Sequence, residues 1–313
     1  MADPSTGNLT ASPFVVAAPR SGSNSGNISL RSRGFPLHRT LASAVTNGIP
    51  PLGFGTFGRS GSAGIDALLF ALETGYRHLD TAQSYGTERE CGEAMRRSGL
   101  QRNEIFLTTK ITGDNSRKGK LIESLQRSNE TIGVDAVDLT LIHWPVSPGG
   151  RLPMDEYLPE LEKAQDTGLT RLIGVSNFTI ADIEEAEKIL GPDCLATNQF
   201  ERHPLLRNQK LVDACASHGI AVTCYLPLAR GRCAGIPAIE AIAKAHDATP
   251  HQIALAMSLN EGHIVIPTSG DTGRIAQNYA ARAITLAPDE LDAIRAADRN
   301  ERQINPIWSP AWD

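Results

Sequence analysis

The stretch Tyr76–Glu90, YRHLDTAQSYGTERE, gathers side chains that exchange protons. A short run with apolar flanks ends in Asp80, and five residues later, in what reads as a loop, stands Tyr85. The next extended run, IFLTTK, ends in Lys110, and the one after it, VDLTLIHWP, reaches His143 as it closes. Acid, phenol, amine and imidazole thus recur where successive strands finish. Parallel neighbours lie ~4.8 Å apart, so three consecutive strand ends span roughly 10 Å and their side chains can meet at one point. The chemistry implied is proton transfer.

The elements that would position these groups alternate from Leu52 onward. LGFGT, HLD, IFLTTK, VDLTLIH, LIGVSN, ATNQ, AVTCY and HIVIP read as strands, rich in Val, Ile and Leu and poor in charge, as strands covered on both faces should be. Between them lie helical segments. Ile65, Leu68, Leu69 and Leu72 carry helical spacing, and further helices are predicted from about Glu88, from about Lys118, over Met154–Asp166, after Thr179, over Asn208–His218 and over Pro237–His246. Thr249 and Gln252 fit a capping box with Pro250 in the first turn, and RIAQNYA and a segment with Leu291 and Ile294 close the series. Eight strands alternating with helices predict a single-domain α/β fold, a (β/α)8 TIM barrel. In such barrels functional groups collect at the C-terminal ends of the strands, where Asp80, Lys110, His143, Ser176, Asn177, Gln199, Tyr225, Thr268 and Ser269 all fall.

A chain of 313 residues with 41% hydrophobic content suffices for one such domain. Residues 44–313 are assigned to the barrel and residues 1–43 to a disordered extension. That extension is rich in Ser, Gly, Asn and Pro, holds no acid after Asp3, and could equally be a targeting segment, a cloning leader or the product of a misassigned start. The net charge of −5 and the lack of a basic run argue against a nucleic-acid partner. No apolar run nears the ~18 residues of a membrane span. Cys91, Cys194, Cys215, Cys224 and Cys233 are odd in number and form no CxxC, so free thiols in a reducing, cytoplasmic setting are expected, with no metal site.

The motifs HLDTAQSYGTE, LTTK, LIHWP, GVSNF, NQFERHP, YLPL and IPTS followed by RIAQN, in this order, resemble the aldo-keto reductases, and among them the bacterial 2,5-diketo-D-gluconate reductases of type B. The resemblance runs from about Ala44 to Asp313. It implies reduction of an aldehyde or ketone by hydride from NADPH, with Tyr85 as general acid, Lys110 and Asp80 tuning the phenol, and His143 orienting the carbonyl oxygen. It implies a cofactor site at Ser176, Asn177, Gln199, Tyr225, Leu226, Leu228, Thr268, Ser269, Arg274, Gln277 and Asn278, with Tyr225 stacked on the nicotinamide. Phe54, Trp144 and Trp308 are its pocket walls. Thr268 stands where many members carry the Lys that pairs with the 2′-phosphate, which leaves NADH use open. Compact loops suit small carbonyls such as keto-sugar acids, methylglyoxal and simple aldehydes, and a monomer is expected. The alternative is a cofactor-bound regulatory or redox-sensing subunit on the same barrel with little turnover.

Overall fold

Short runs of β-branched and aliphatic residues, each stopped by Gly, Pro or a polar residue, become strands, and the segments with 3.6-residue periodicity become the helices that cover them. The computed structural model describes residues 46–313. The expectation of a disordered extension over residues 1–43 lies outside the described residues.

In chain order the elements are β1 (Phe54–Gly55), α1 (Gly61–Thr74), β2 (His78–Asp80), α2 (Glu88–Ser98), β3 (Phe106–Ile111), α3 (Leu121–Ile132) and β4 (Val137–Ile142). A small hairpin, β5 (Val146–Ser147) and β6 (Gly150–Arg151), precedes α4 (Met154–Asp166). Then follow β7 (Thr170–Ser176), α5 (Ile180–Leu190), β8 (Thr197–Glu201), α6 (Gln209–Ser217), β9 (Ala221–Tyr225), α7 (Pro237–Ala245) and α8 (Pro250–Asn260). The last elements are β10 (Ile264–Val265), α9 (Thr272–Ala280) and α10 (Pro288–Arg295). Eight strands form one parallel sheet in the order β1-β2-β3-β4-β7-β8-β9-β10. The last strand returns to the first through a Leu52–Val265 bridge and through Gly53 N–H to Val265 O at 2.9 Å and Gly55 N–H to Pro267 O at 3.0 Å. The sheet therefore curls round on itself as the expected (β/α)8 barrel.

Local rules account for the helices. In α3 the buried positions Leu121, Ser124, Leu125, Ser128, Asn129 and Ile132 make one stripe toward the sheet. Burying each of the three aliphatic side chains contributes about 1.5–3 kcal/mol. Thr179 and Thr249 cap α5 and α8 by accepting from the N–H groups of Asp182 and Gln252. The helix expected from Lys118 begins at Leu121 instead, and β1 and β10 are two residues each rather than five. Pro267 has no N–H to extend the β10 ladder. The β5–β6 hairpin lies inside PVSPGGRLP, one of the compact connections at the strand ends. One cluster of apolar residues joins sheet and helices, and a separate one, including Ile49, Phe106, Leu139, Leu141 and Ile264, draws on the strands and the segment before β1 and uses no helix residue. Gly174 permits that packing, since a Cβ there would stand 2.7 Å from Thr197 O.

Candidate active site

Register delivers the four proton-handling residues to one place. Asp80 pairs with Thr108 across β2 and β3, so Lys110, two residues further along, projects from the same face. Lys110 and Asp80 are fully buried, 0% and 1% exposed, so their ion pair works without solvent screening. The ammonium uses all three of its protons: on Asp80 Oδ1, on Thr81 O at 3.0 Å and on the Tyr85 phenol oxygen at 3.3 Å. Because Tyr85 accepts from Lys110, its own O–H remains to donate elsewhere. Burial pushes the phenol above its ordinary range and the Asp80 charge adds to this, while Lys110 acts the other way. Burial thus outweighs Lys110, which by itself would lower the value, and the phenol holds its proton at neutral pH. Lys110 is itself raised: burial disfavours its charge, but the adjoining Asp80 carboxylate more than offsets that.

His143 lies beside Tyr85, ring centroids 5.6 Å apart and nearly perpendicular. Burial and the nearby Lys110 charge bring its pKa down to about 3, so the imidazole is neutral at physiological pH. Nδ1 stands 3.3 Å from Ser84 Oγ. With the hydroxyl donating there, Nε2 carries the proton and becomes a hydrogen-bond donor.

Tyr85 and His143 open into a cavity of about 720 Å³ that extends along the strand ends to the start of α9. At the Tyr85 end Ser176, Asn177, Gln199 and Tyr225 form a linked set. Asn177 Nδ2 donates to His143 O at 3.0 Å, the Tyr225 hydroxyl donates to Asn177 Oδ1 at 2.8 Å, and the Ser176 hydroxyl donates to Gln199 O at 2.8 Å. Gln199 Nε2 reaches Asp80 Oδ2 at 2.8 Å, which joins this set to the ion pair behind Tyr85. Leu226, Leu228 and Arg230 border the middle, and Thr268, Ser269, Arg274, Gln277 and Asn278 the far end. Arg274 Nε stands 3.3 Å from Ser269 Oγ at the mouth of α9. Neutral amides and hydroxyls at one end and guanidinium groups with a helix N-terminus toward the other suit a long ligand with a carboxamide head and phosphates behind it. A nicotinamide dinucleotide fits that description.

Two expected pocket walls are placed differently. Phe54 points into the core, 1% exposed and packed edge-on against Tyr76 at 5.6 Å. In its place Phe57, 68% exposed, lines the cavity and meets the Tyr85 ring at 5.2 Å. Phe54 lies within β1 and turns into the core, whereas Phe57 has left the strand for the loop. Trp144 does line the cavity. Trp308 borders a second hollow of about 300 Å³ with Ser84, His143 and Trp144. Its ring meets Trp144 at 5.2 Å, and Trp312 approaches Trp144 from another side at 6.0 Å. The C-terminal segment that carries these rings is pinned by the buried Glu201 carboxylate, which accepts from Gln303 N at 2.8 Å and Ile304 N at 2.7 Å, and Ile304 then joins the cavity wall. Sequence reasoning assigned no role to Phe57, Ser84, Glu201 or Ile304. Only Ser84 carried a local signal, its adjacency to Tyr85.

Residues 51–299 match the model of the aldo/keto reductase family. A methylglyoxal reductase DkgB of Salmonella typhi is 45% identical over 266 residues, which are 85% of this chain and 99% of that protein. A 9,11-endoperoxide prostaglandin H2 reductase of Trypanosoma cruzi is 34% identical over 258 residues, 81% of this chain and 89% of its own. Among solved structures, a protein provisionally named a 2,5-diketo-D-gluconic acid reductase B superposes with a TM-score of 0.82 at 38% identity, covering 87% of this chain and 97% of that one. The aldose reductase of Schistosoma japonicum does so with a TM-score of 0.79 at 32% identity, covering 85% and 95%. With its barrel, its buried Lys110–Asp80 pair against Tyr85 and these relatives, the chain belongs to the aldo-keto reductase family and is an oxidoreductase.

Proposed function

We propose that this protein reduces small aldehydes and ketones, methylglyoxal and keto-sugar acids among them, with NADPH as the hydride donor and NADH as its substitute. The observation that carries the reading is the contact of Tyr85 with a fully buried ammonium at the edge of the 720 Å³ cavity. When bound, the dinucleotide supplies a hydride, and everything else falls to the chain. Ser176, Asn177 and Gln199 would hold its carboxamide, Tyr225 would face its ring, and Ser269, Arg274 and Asn278 would hold the phosphate-bearing end. Neutral His143 would donate a hydrogen bond from Nε2 to the substrate's carbonyl oxygen and fix its direction. Tyr85 would then pass its phenolic proton to that oxygen as negative charge develops there. The Lys110 ammonium stabilises the phenolate left behind, and Asp80 keeps Lys110 charged. A small substrate follows from the crowding of Phe57, Trp144, Trp308 and Ile304 around the entrance, and the named activities of the DkgB relatives support the same class. The assay is loss of NADPH absorbance with methylglyoxal, run beside Tyr85→Phe. A drop of at least about 100-fold in kcat is expected, as for removal of a general acid. A loss of only a few-fold would rule out Tyr85 as the donor. Turnover with neither methylglyoxal nor a keto-sugar acid would count against the substrate class, and absence of turnover with every carbonyl tested would favour the regulatory alternative.

A further inference from the structure

At position 268 the chain has Thr, which can hydrogen-bond to a phosphate but brings no charge. The structure brings a cation to the same loop from elsewhere. After β1 the chain turns along the cavity rim, where Gly55, Thr56 and Phe57 are all wall residues, and it runs beside the 268–270 loop. Two close approaches mark this course. A Cβ on Gly55 would stand 3.7 Å from Thr268 Cβ, and a Cβ on Gly270 would stand 2.3 Å from Arg59 Nη1. The Arg59 guanidinium therefore points Nη1 at Gly270, between Ser269 and the start of α9, where anything larger than hydrogen would displace it. Arg59 is half-buried, its Nε has no hydrogen-bond partner, and it takes part in no ion pair among the described residues. The acid on this loop, Asp271, is occupied in capping α9, its Oδ1 accepting from Arg274 N at 2.8 Å.

The geometry points to Arg59 as the residue that confers preference for a 2′-phosphorylated dinucleotide, supplying from the β1–α1 loop the charge that Thr268 lacks. This rests on the dinucleotide reading of the cavity. Ser269 and Arg274 would hold one side of the phosphate position and Arg59 would close the other, while Asp271 stays engaged in capping α9. A planar guanidinium with no competing carboxylate is suited to a phosphate dianion, and an unpaired one beside the 268–270 loop loses little by being engaged.

The test is direct binding, by quenching of tryptophan fluorescence and by calorimetry, of NADPH and NADH to wild type, Arg59→Gln, Arg59→Lys and the double variant Arg59→Gln/Thr268→Lys. Expected for Arg59→Gln is roughly a tenfold weaker Kd for NADPH with less than threefold change for NADH, the order of magnitude of one exposed-to-half-buried charge contact. The gap should narrow as salt is raised. Arg59→Lys should retain most of the preference, and Lys at 268 should restore it in the double variant. Gly270→Ala, which pushes the guanidinium aside, should reproduce Arg59→Gln. Equal weakening of both dinucleotides, or of neither, or failure of Thr268→Lys to rescue, would overturn the assignment. A wild type that binds neither dinucleotide would instead remove the cofactor reading itself, and this inference with it.

Discussion

Replacing Asp80 with Asn keeps the shape of the side chain and deletes one charge from a pair with no solvent around it. Lys110 is 0% exposed, so its ammonium would then be buried without a counter-ion, facing only neutral acceptors such as Thr81 O and the Tyr85 phenol. Removing one partner of a buried ion pair costs about 3–5 kcal/mol. For a domain of this size that lowers Tm by roughly 10 °C. The pH dependence is more telling than the loss. In the wild type burial disfavours the charged lysine but Asp80 raises its pKa above the ordinary 10.5. The folded chain then holds the proton more tightly than the unfolded one, and the stability this contributes is complete below about pH 10 and lost as pH rises through the folded value. In Asp80→Asn desolvation is left unopposed and the folded pKa falls below the unfolded one, so the unfolded chain is the better proton binder. Stability must then rise with pH, by up to about 1.4 kcal/mol per unit, until the unfolded lysine titrates too. Urea unfolding of both proteins from pH 7 to 10 measures the difference, and buried tyrosines such as Tyr76 and Tyr157 contribute equally to both and cancel. A gap between wild type and variant that stays constant over this range would refute the claim that Asp80 is what keeps Lys110 charged.

Other consequences follow from the same geometry. With its pKa brought down to about 3, His143 should impose no ionisation on kcat/KM between about pH 5 and 8, whereas it should lend acid sensitivity to the fold. Its folded pKa lies below the ordinary 6.5, so that part of the stability is present above pH 6.5 and lost as pH falls toward 3, and His143→Gln should flatten the stability profile there. Phe54→Ala should cost about 3–5 kcal/mol of stability, as for a large core side chain. Phe57→Ala, from a site 68% exposed, should leave Tm nearly unchanged and raise KM for the carbonyl substrate; the reverse pattern in these two variants would contradict their placement.

Much of this was legible in the chain. The strand–helix alternation, with Asp80, Lys110 and His143 at strand ends and Tyr85 in the loop after β2, depends on local periodicity and on the rule that parallel strands finish on one face, both of which are written in linear order. Whether a ring near the end of β1 faced core or cavity was not, because a strand two residues long leaves no periodicity from which to assign a face. Phe54, expected at the pocket, accordingly lies in the core, and Phe57, to which no role was assigned, lines the cavity.

What the sequence by itself determined is the order of the barrel strands and helices and hence the set of groups assembled at the barrel mouth. The tertiary structure alone decided their charge states and their remote partners. Burial, which has no sequence signature at a single position, outweighs the pull of Lys110 on Tyr85 and renders His143 neutral. Gln199 reaches Asp80 from 119 residues away, Glu201 ties down Gln303 from 102, and Arg59 comes to rest on Gly270. Such contacts join separate strands and loops, and their distances are set by the curvature of the closed sheet rather than by spacing along the chain.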